Sequence, residues 1–183
     1  CIGQHAAVES NGRSFWMGND SFFLFDGSVQ KIPCSVEDYV FKDIDEASQK
    51  DTFAGLNTEF NEVTWFYCSS GSNVINRSVT YNYLENVWYV GTLARSSWFD
   101  KGVYGFPQAI EFNSTDTTST ISTITGLTAG RSFLYSHENG NNADGAALSS
   151  SITSGDFVIP EAGERLMSIK RFIPDFKDQL GDV

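Results

Sequence analysis

Residues 13–17 (RSFWM) and 63–67 (VTWFY) are the stretches that decide the fold. Each is a short run of aromatic and apolar side chains beside a polar turn, and their tryptophans, Trp16 and Trp65, lie about 50 residues apart. A third stretch, 131–135 (RSFLY), is expected to occupy an equivalent place. A repeat of about 50 residues with about four strands is typical of a β-propeller blade. The sequence therefore predicts an all-β fold, a partial β-propeller built from antiparallel meander blades.

Turn signals separate the predicted strands. Asn11-Gly12 is the strongest of them, because both residues tolerate the positive φ that a tight hairpin needs. The predicted strands are residues 13–17, 21–25, 28–32, 52–56, 62–68, 77–83, 87–90, 109–112 and 131–135.

One short helix insert is predicted at about 35–46, with helical residues 36–45. Ser35 followed by Asp38 has the pattern of a capping box, so Ser35 is the expected N-cap. The apolar residues recur at the helical spacing of four; they are Val36, Val40 and Ile44. The acidic residues that follow disfavour continuation, because the C-terminal end of a helix carries partial negative charge.

Composition excludes several classes of protein. The chain has 183 residues, with 12 Lys and Arg against 23 Asp and Glu, and a formal net charge of −11. This balance disfavours general nucleic-acid binding, which needs clustered basic residues. No apolar run approaches the roughly 20 residues of a membrane-spanning helix. Aromatic residues make up 14% of the chain, so a folded core is expected.

The predicted organisation has three parts. Residues 1–107 are expected to form blades with the helix insert, 108–160 a degenerate blade with long loops, and 161–183 a closing strand or a link to further sequence. The chain begins with Cys1, and we expect it to be a segment of a longer polypeptide.

Candidate chemistry is sparse, and we assign no catalytic, cofactor-binding or metal-binding residue. Five acidic residues are candidates for a catalytic pair only because they are acidic; they are Asp26, Asp43, Asp45, Asp100 and Glu111. Most are expected in turns, where Asp accepts local backbone hydrogen bonds, and no convincing pair is recognisable. The loop 137–145, which begins His137-Glu138, offers oxygen ligands for calcium. It lacks the order of an EF-hand, which favours a solvated loop.

The remaining motifs have ordinary structural interpretations. Arg95 beside Trp98 is either an interface anchor or a cation stacked on an aromatic ring. Tyr39 and Phe41 are expected to pack either on a neighbouring blade of the chain or on a neighbouring subunit, and packing within the chain is favoured. Three triplets match the N-glycosylation pattern, although Asn and Ser are common in turns; they begin at Asn19, Asn76 and Asn113. The odd number of cysteines favours free or buried thiols over a disulfide framework; they are Cys1, Cys34 and Cys68.

Taken in order, several segments resemble the propeller part of the tail nozzle protein of short-tailed bacteriophages. That family is also called the packaged-DNA stabilization or tail tubular protein. The segments that carry the resemblance are residues 15–18, 22–29, 32–41, 61–67 and 81–95.

The resemblance implies a structural protein of the virion tail, assembled in the bacterial cytoplasm, and not an enzyme. Members form a hexameric ring below the portal and head-tail adaptor, beside tail fibre or needle proteins. The ring closes the channel, retains packaged DNA and lets it out on infection. Genomic DNA would pass without sequence-specific binding.

A second class of function stays open. Propellers also bind or cleave carbohydrates, so an adhesin or a depolymerase is the alternative. A secreted eukaryotic domain would be supported only by glycans on Asn76 or Asn113.

Overall fold

The computed structural model describes residues 1–113, 131–140, 142–143 and 146–147. The chain divides into two compact units, Cys1–Gly140 and Asn141–Val183. The described part is mostly strand, in open antiparallel sheets, which confirms the all-β prediction. The predicted boundaries at 107 and 160 stay predictions, and the predicted closing segment 161–183 lies outside the described residues.

Two four-stranded meanders form the larger part of the first unit. Sheet 1 has the order β1-β2-β3-β4 and sheet 2 the order β5-β6-β7-β8. Asn11 and Gly12 both have positive φ, 53° and 76°, at the β1–β2 turn, as the Asn-Gly signal predicts. The strands are β1 Ala7–Ser10, β2 Arg13–Met17, β3 Phe22–Phe25, β4 Val29–Ile32, β5 Phe53–Asn57, β6 Glu62–Tyr67, β7 Arg77–Asn82 and β8 Val87–Gly91.

Sheet 3 corrects one part of the predicted repeat. It contains β9 Ser97–Phe99, β10 Gln108–Asn113 and β11 Arg131–Ser136, in the order β11-β10-β9. Residues 131–135 therefore lie on the third strand of their sheet, whereas β2 and β6 are second strands. The predicted equivalence of residues 131–135 with β2 and β6 is therefore wrong. The first strand of sheet 3, β9, is only three residues long, so its sequence shows too little alternation to be recognised as a strand.

The second unit contributes one described hairpin. Strands β12 Asn142–Ala143 and β13 Ala146–Ala147 pair antiparallel. The predicted loop 137–145 is thus interrupted by β12.

The helix insert forms, but its N-cap differs from the prediction. Helix α1 is Glu37–Asp43, its N-cap is Val36, and no side chain caps it. Ser35 lies one residue too early to be the cap, because Val36 still has non-helical backbone angles. A 3-10 helix, Glu46–Asp51, follows, and the carboxylate of Asp45 accepts a hydrogen bond from its Ser48 N–H at 3.0 Å.

The helix packs through the predicted apolar side and one aromatic residue. Val40 and Ile44 are buried in the core, with Val36 packed against them. Phe41 contacts the Phe22 ring, with centroids 5.4 Å apart, as predicted for packing within the chain. Tyr39 is 51% exposed, so the favoured packing within the chain does not extend to it, and its packing on a neighbouring subunit stays a prediction.

Sheets 1 and 2 pack face to face through aromatic rings. Phe22 of sheet 1 lies 4.9 Å from Trp65 and 4.6 Å from Trp88 of sheet 2. The indole N–H of Trp65 donates to the Ala6 carbonyl at 3.0 Å, and that of Trp88 to the Pro33 carbonyl at 2.9 Å. Each buried indole therefore donates to a carbonyl next to an edge strand of sheet 1, just before β1 or just after β4, as buried tryptophans require a partner.

Sheets 2 and 3 meet through Trp98. Its indole N–H donates to the Leu56 carbonyl at 2.6 Å, and its ring centroid lies 5.7 Å from that of Phe66. Close backbone approaches between sheets are concentrated at the first strands, β1 to β5 and β5 to β9. The three sheets thus follow one another in chain order.

Gly55 makes the close approach of Trp98 possible, and its replacement by alanine is expected to destabilise the protein. An added Cβ would lie 2.6 Å from Cγ and Cδ1 of Trp98, near the base of a ring fixed by its own hydrogen bond. Overpacking of this kind costs about 1–3 kcal/mol. Chemical denaturation measures the loss. Gly91→Ala is the control, since its Cβ would meet only the Ser78 hydroxyl at 3.0 Å; an equal loss in both variants would contradict the argument.

Candidate functional site

A partly buried polar cluster lies on the side of sheet 3 that carries Trp98. The Arg95 cluster consists of Arg95, Trp98, Glu111, Tyr135 and His137. Arg95 is only 9% exposed. Its Nη1 donates to Glu111 Oε2 at 2.8 Å, and its Nε donates to His137 Nε2 at 3.0 Å. Its guanidinium lies 4.3 Å from the Tyr135 ring centroid.

The cluster resolves the two interpretations of Arg95. The cation stacks on an aromatic ring, but on Tyr135, while Trp98 contacts His137 with centroids 4.8 Å apart. Because Arg95 Nε donates to it, His137 Nε2 must be an acceptor, so the ring is neutral with its proton on Nδ1. Arg95, Glu111 and His137 are thus hydrogen-bonded to one another, which is typical of a structural network.

Stability is expected to fall on acidification because of His137. Burial, followed by the Arg95 charge, lowers the pKa of His137 from 6.5 to about 4. Between pH 6.5 and 4 the unfolded chain binds a proton that the folded chain does not, so unfolding becomes easier as pH falls. Since solvent reaches part of the ring, we expect a loss of about 1–2 kcal/mol.

Thermal melts from pH 7.5 to 4 measure this effect. His137→Gln is the matched variant, because its amide oxygen accepts from Arg95 without titrating. The chain has only one other histidine, His5. The pH dependence of Tm should be shallower in the variant, and identical slopes would contradict a role for His137.

Two clefts adjoin the Arg95 cluster. One of about 460 Å³ is lined by residues that include Cys68, Arg95 and Glu111. The other, of about 760 Å³, is lined by residues that include His5 and Trp98. Both are of a size that holds a small ligand, and charges of both signs line them.

A second polar cluster joins sheets 2 and 3 and was not predicted. The Glu62 cluster consists of Asn57, Glu62, Thr80, Tyr89 and Glu138. Asn57 is opposite Glu62 in the β5–β6 register, and its Nδ2 donates to Glu138 Oε1 at 3.5 Å. Burial, with the nearby Glu138 and Glu85 charges, raises the pKa of Glu62, although a hydrogen bond from Tyr89 opposes the shift. The Glu62 cluster could have been predicted only from the strand register, which brings its residues together.

The five carboxylates considered from sequence have separate partners. Asp43 pairs with Arg77, at 3.4 Å, and accepts from the Tyr67 hydroxyl, at 3.3 Å. Of the others, Asp26 accepts from Gln30, Asp45 from Ser48, Asp100 from the Thr58 and Lys101 backbone, and Glu111 from Arg95. Each of the five carboxylates thus binds its own partner, and the structure does not bring the five together at one site.

The cysteines and glycosylation triplets offer little reactive chemistry. All three cysteines are free, as predicted; Cys1 is exposed and Cys68 buried. Burial raises the pKa of Cys34 to about 11 and also raises that of Cys68, so both are weak nucleophiles. The Asn76 amide bonds Ser69 through both its oxygen and nitrogen. Asn19 is exposed in a turn, and the triplet at Asn113 extends outside the described residues.

The described ranges contain neither a metal-holding group nor a membrane-spanning helix. There, no three His, Cys, Asp or Glu side chains come together as a metal-holding group. The same part of the chain contains no helix long and apolar enough to cross a membrane. In comparisons with known proteins, no family model and no curated protein matches the chain.

Proposed function

We propose that the chain is a structural protein of a virus particle, part of the nozzle ring at the end of a short phage tail. The observation that carries the proposal is the repeat of sheet 1 by sheet 2, position by position. The row Ala7–Trp16–Phe23–Lys31 runs across sheet 1. The row Ala54–Trp65–Val79–Val90 runs across sheet 2 in the same strand order.

The repeat supports a partial β-propeller. Sheets of equal topology are stacked in chain order, and their first strands approach most closely, as blades do around an axis. Trp65 faces sheet 1, so the equivalent Trp16 faces away from sheet 2. Trp16 stacks on Phe23, at 5.5 Å between centroids, and both are part-exposed. A further blade would cover this aromatic pair.

The net charge of the chain suits a channel that DNA passes through. The net charge of −11 disfavours attraction to phosphate, so a ring of such subunits would confine DNA without gripping it. In this proposal the chain forms a homohexamer, contacts the head-tail adaptor and tail fibre or needle proteins, and acts by geometry. It is not an enzyme, and its location is the virion tail.

Electron cryo-microscopy of the intact source particle tests the proposal. Tracing this chain into a sixfold ring on the tail axis, continuous with a DNA channel, is the expected result. Density in an off-axis spike, or a protein that belongs to no particle, would overturn it.

A carbohydrate-binding propeller is the second candidate, favoured by the cleft beside Trp98. This cleft combines an aromatic ring with Lys50 and Asp51, a combination suited to a sugar. A glycan array and a polysaccharide-hydrolysis assay separate the two functions. Binding abolished by Asp51→Asn would favour the carbohydrate function, and no binding to any glycan would dismiss it.

A further inference from the structure

One end of sheets 2 and 3 is strongly acidic. We call it the hairpin end: the connections 58–61, 83–86 and 100–107, the start of β6, and residues 137–140 after β11. These described residues include five carboxylates and only one cationic side chain, Lys101. Lys101 is already paired with Glu59, at 3.2 Å. The other acids are Glu62, Glu85, Asp100 and Glu138.

Asn57 is the unusual group at this end. It is 4% exposed, and its Oδ1 is a buried acceptor that has no hydrogen-bond partner among the residues that the structure describes. Its Nδ2 donates to Glu138, and Glu62 lies directly opposite on β6. A buried polar atom left unpaired costs about 1–3 kcal/mol, so an unmade bond here needs an explanation.

The donors near Glu62 are already used. The hydroxyls of Thr64 and Thr80 are hydrogen-bonded to each other at 2.8 Å. Thr80 is also bonded to Tyr89, and the Tyr89 hydroxyl donates to Glu62. Three groups here can only accept: the carboxylates of Glu62 and Glu138 and the amide oxygen of Asn57. A bound cation would supply the positive charge that these oxygens lack.

We propose that Asn57, Glu62 and Glu138 form a binding site for a divalent cation, with Ca²⁺ as the best fit. Carboxylate and amide oxygens are hard ligands that calcium accepts in flexible geometry, whereas Mg²⁺ demands a near-octahedral set. Two carboxylates leave several positions to water, so the affinity is expected in the range of about 10⁻⁴–10⁻³ M. The raised pKa of Glu62 is consistent with a carboxylate that lacks a counter-charge. The site is independent of the tail function.

Calcium chloride alone is the probe. Isothermal titration calorimetry on the whole chain should show one site, and Tm should rise by about 3–5 °C at a Ca²⁺ concentration tenfold above Kd. Sodium chloride at matched ionic strength should give no such rise, and MgCl₂ a smaller one. Absence of both heat and Tm shift at 20-fold the expected Kd would overturn the site.

Three variants sharpen the test. Glu62→Gln should weaken Ca²⁺ binding at least tenfold, whereas Glu85→Gln, which removes a nearby charge outside the proposed ligands, should change it less than threefold. Asn57→Asp should tighten binding, because it adds a charged ligand at the unpaired oxygen. Equal weakening by Glu62→Gln and Glu85→Gln would show a diffuse ion atmosphere and overturn the site. The Glu62 and Glu85 pair decides the question even if Asn57→Asp does not fold.

Discussion

Trp65→Ala is expected to lower the free energy of unfolding by about 3–5 kcal/mol, the range for removing a fully buried large aromatic side chain. Trp65 is 0% exposed and contacts Phe22 and Trp88, at 4.9 and 6.0 Å between centroids. Its loss leaves a cavity between sheets 1 and 2 and removes the hydrogen bond from the indole N–H to the Ala6 carbonyl. Urea denaturation followed by circular dichroism measures the change.

Trp16→Ala is the matched control for Trp65→Ala. Trp16 has the same position in the row of sheet 1, but its ring is part-exposed and contacts Phe23 alone among the aromatic pairs of the described residues. We expect about 1 kcal/mol for Trp16, typical of a partly exposed site. A loss as large as that of Trp65 would show that the outer side of sheet 1 is already covered in the isolated chain.

Trp65→Phe separates packing from hydrogen bonding. It keeps most of the aromatic contact with Phe22 but removes the indole hydrogen bond to the Ala6 carbonyl, which still accepts from the Met17 N–H at 3.1 Å. We therefore expect the cost of one hydrogen bond, about 0.5–1.5 kcal/mol. If the free energy of unfolding of Trp65→Phe is unchanged, ring packing alone accounts for the stabilisation by Trp65.

Sequence predicted the local elements of sheets 1 and 2 well. Aromatic alternation in β2 and β6 has the period of a half-buried strand, and Asn11-Gly12 can turn without strain. The helix insert was predicted from the spacing of Val40 and Ile44, both of which are buried. Its cap was not, because a one-residue shift moves Ser35 out of position and no pattern specifies that shift.

The polar clusters could not be predicted, because they depend on strand register. Arg95 and His137 are bonded across 42 positions of chain, and Asn57 and Glu138 across 81. His137 and Glu138 begin the loop that is predicted to offer oxygen ligands, yet their side chains belong to different clusters. Nothing in a single sequence distinguishes a carboxylate that binds a buried guanidinium, such as Glu111, from one in a solvated turn.

Glu111→Gln is expected to cost about 2–4 kcal/mol, because it leaves the Arg95 guanidinium buried without a counter-charge. Removing one member of a fully buried ion pair costs about 3–5 kcal/mol, and the partial exposure of Glu111 reduces that figure. The lost charge also removes a partner from the network that orients His137. Chemical denaturation at pH 7.5 measures the loss, with Glu59→Gln as the control because the Glu59–Lys101 pair is exposed on both sides and should contribute little.

A double-mutant cycle identifies the source of the Glu111 effect. If the loss comes from an uncompensated buried charge, Arg95→Gln combined with Glu111→Gln should be less destabilised than the sum of the single variants, by about 1–3 kcal/mol. Arg95→Lys should be less stable than the unsubstituted protein. A single ammonium cannot donate to Glu111 and His137 while stacking on Tyr135 as a planar guanidinium does. Strict additivity of the two Gln variants would mean that the 2.8 Å ion pair contributes nothing beyond its separate side chains.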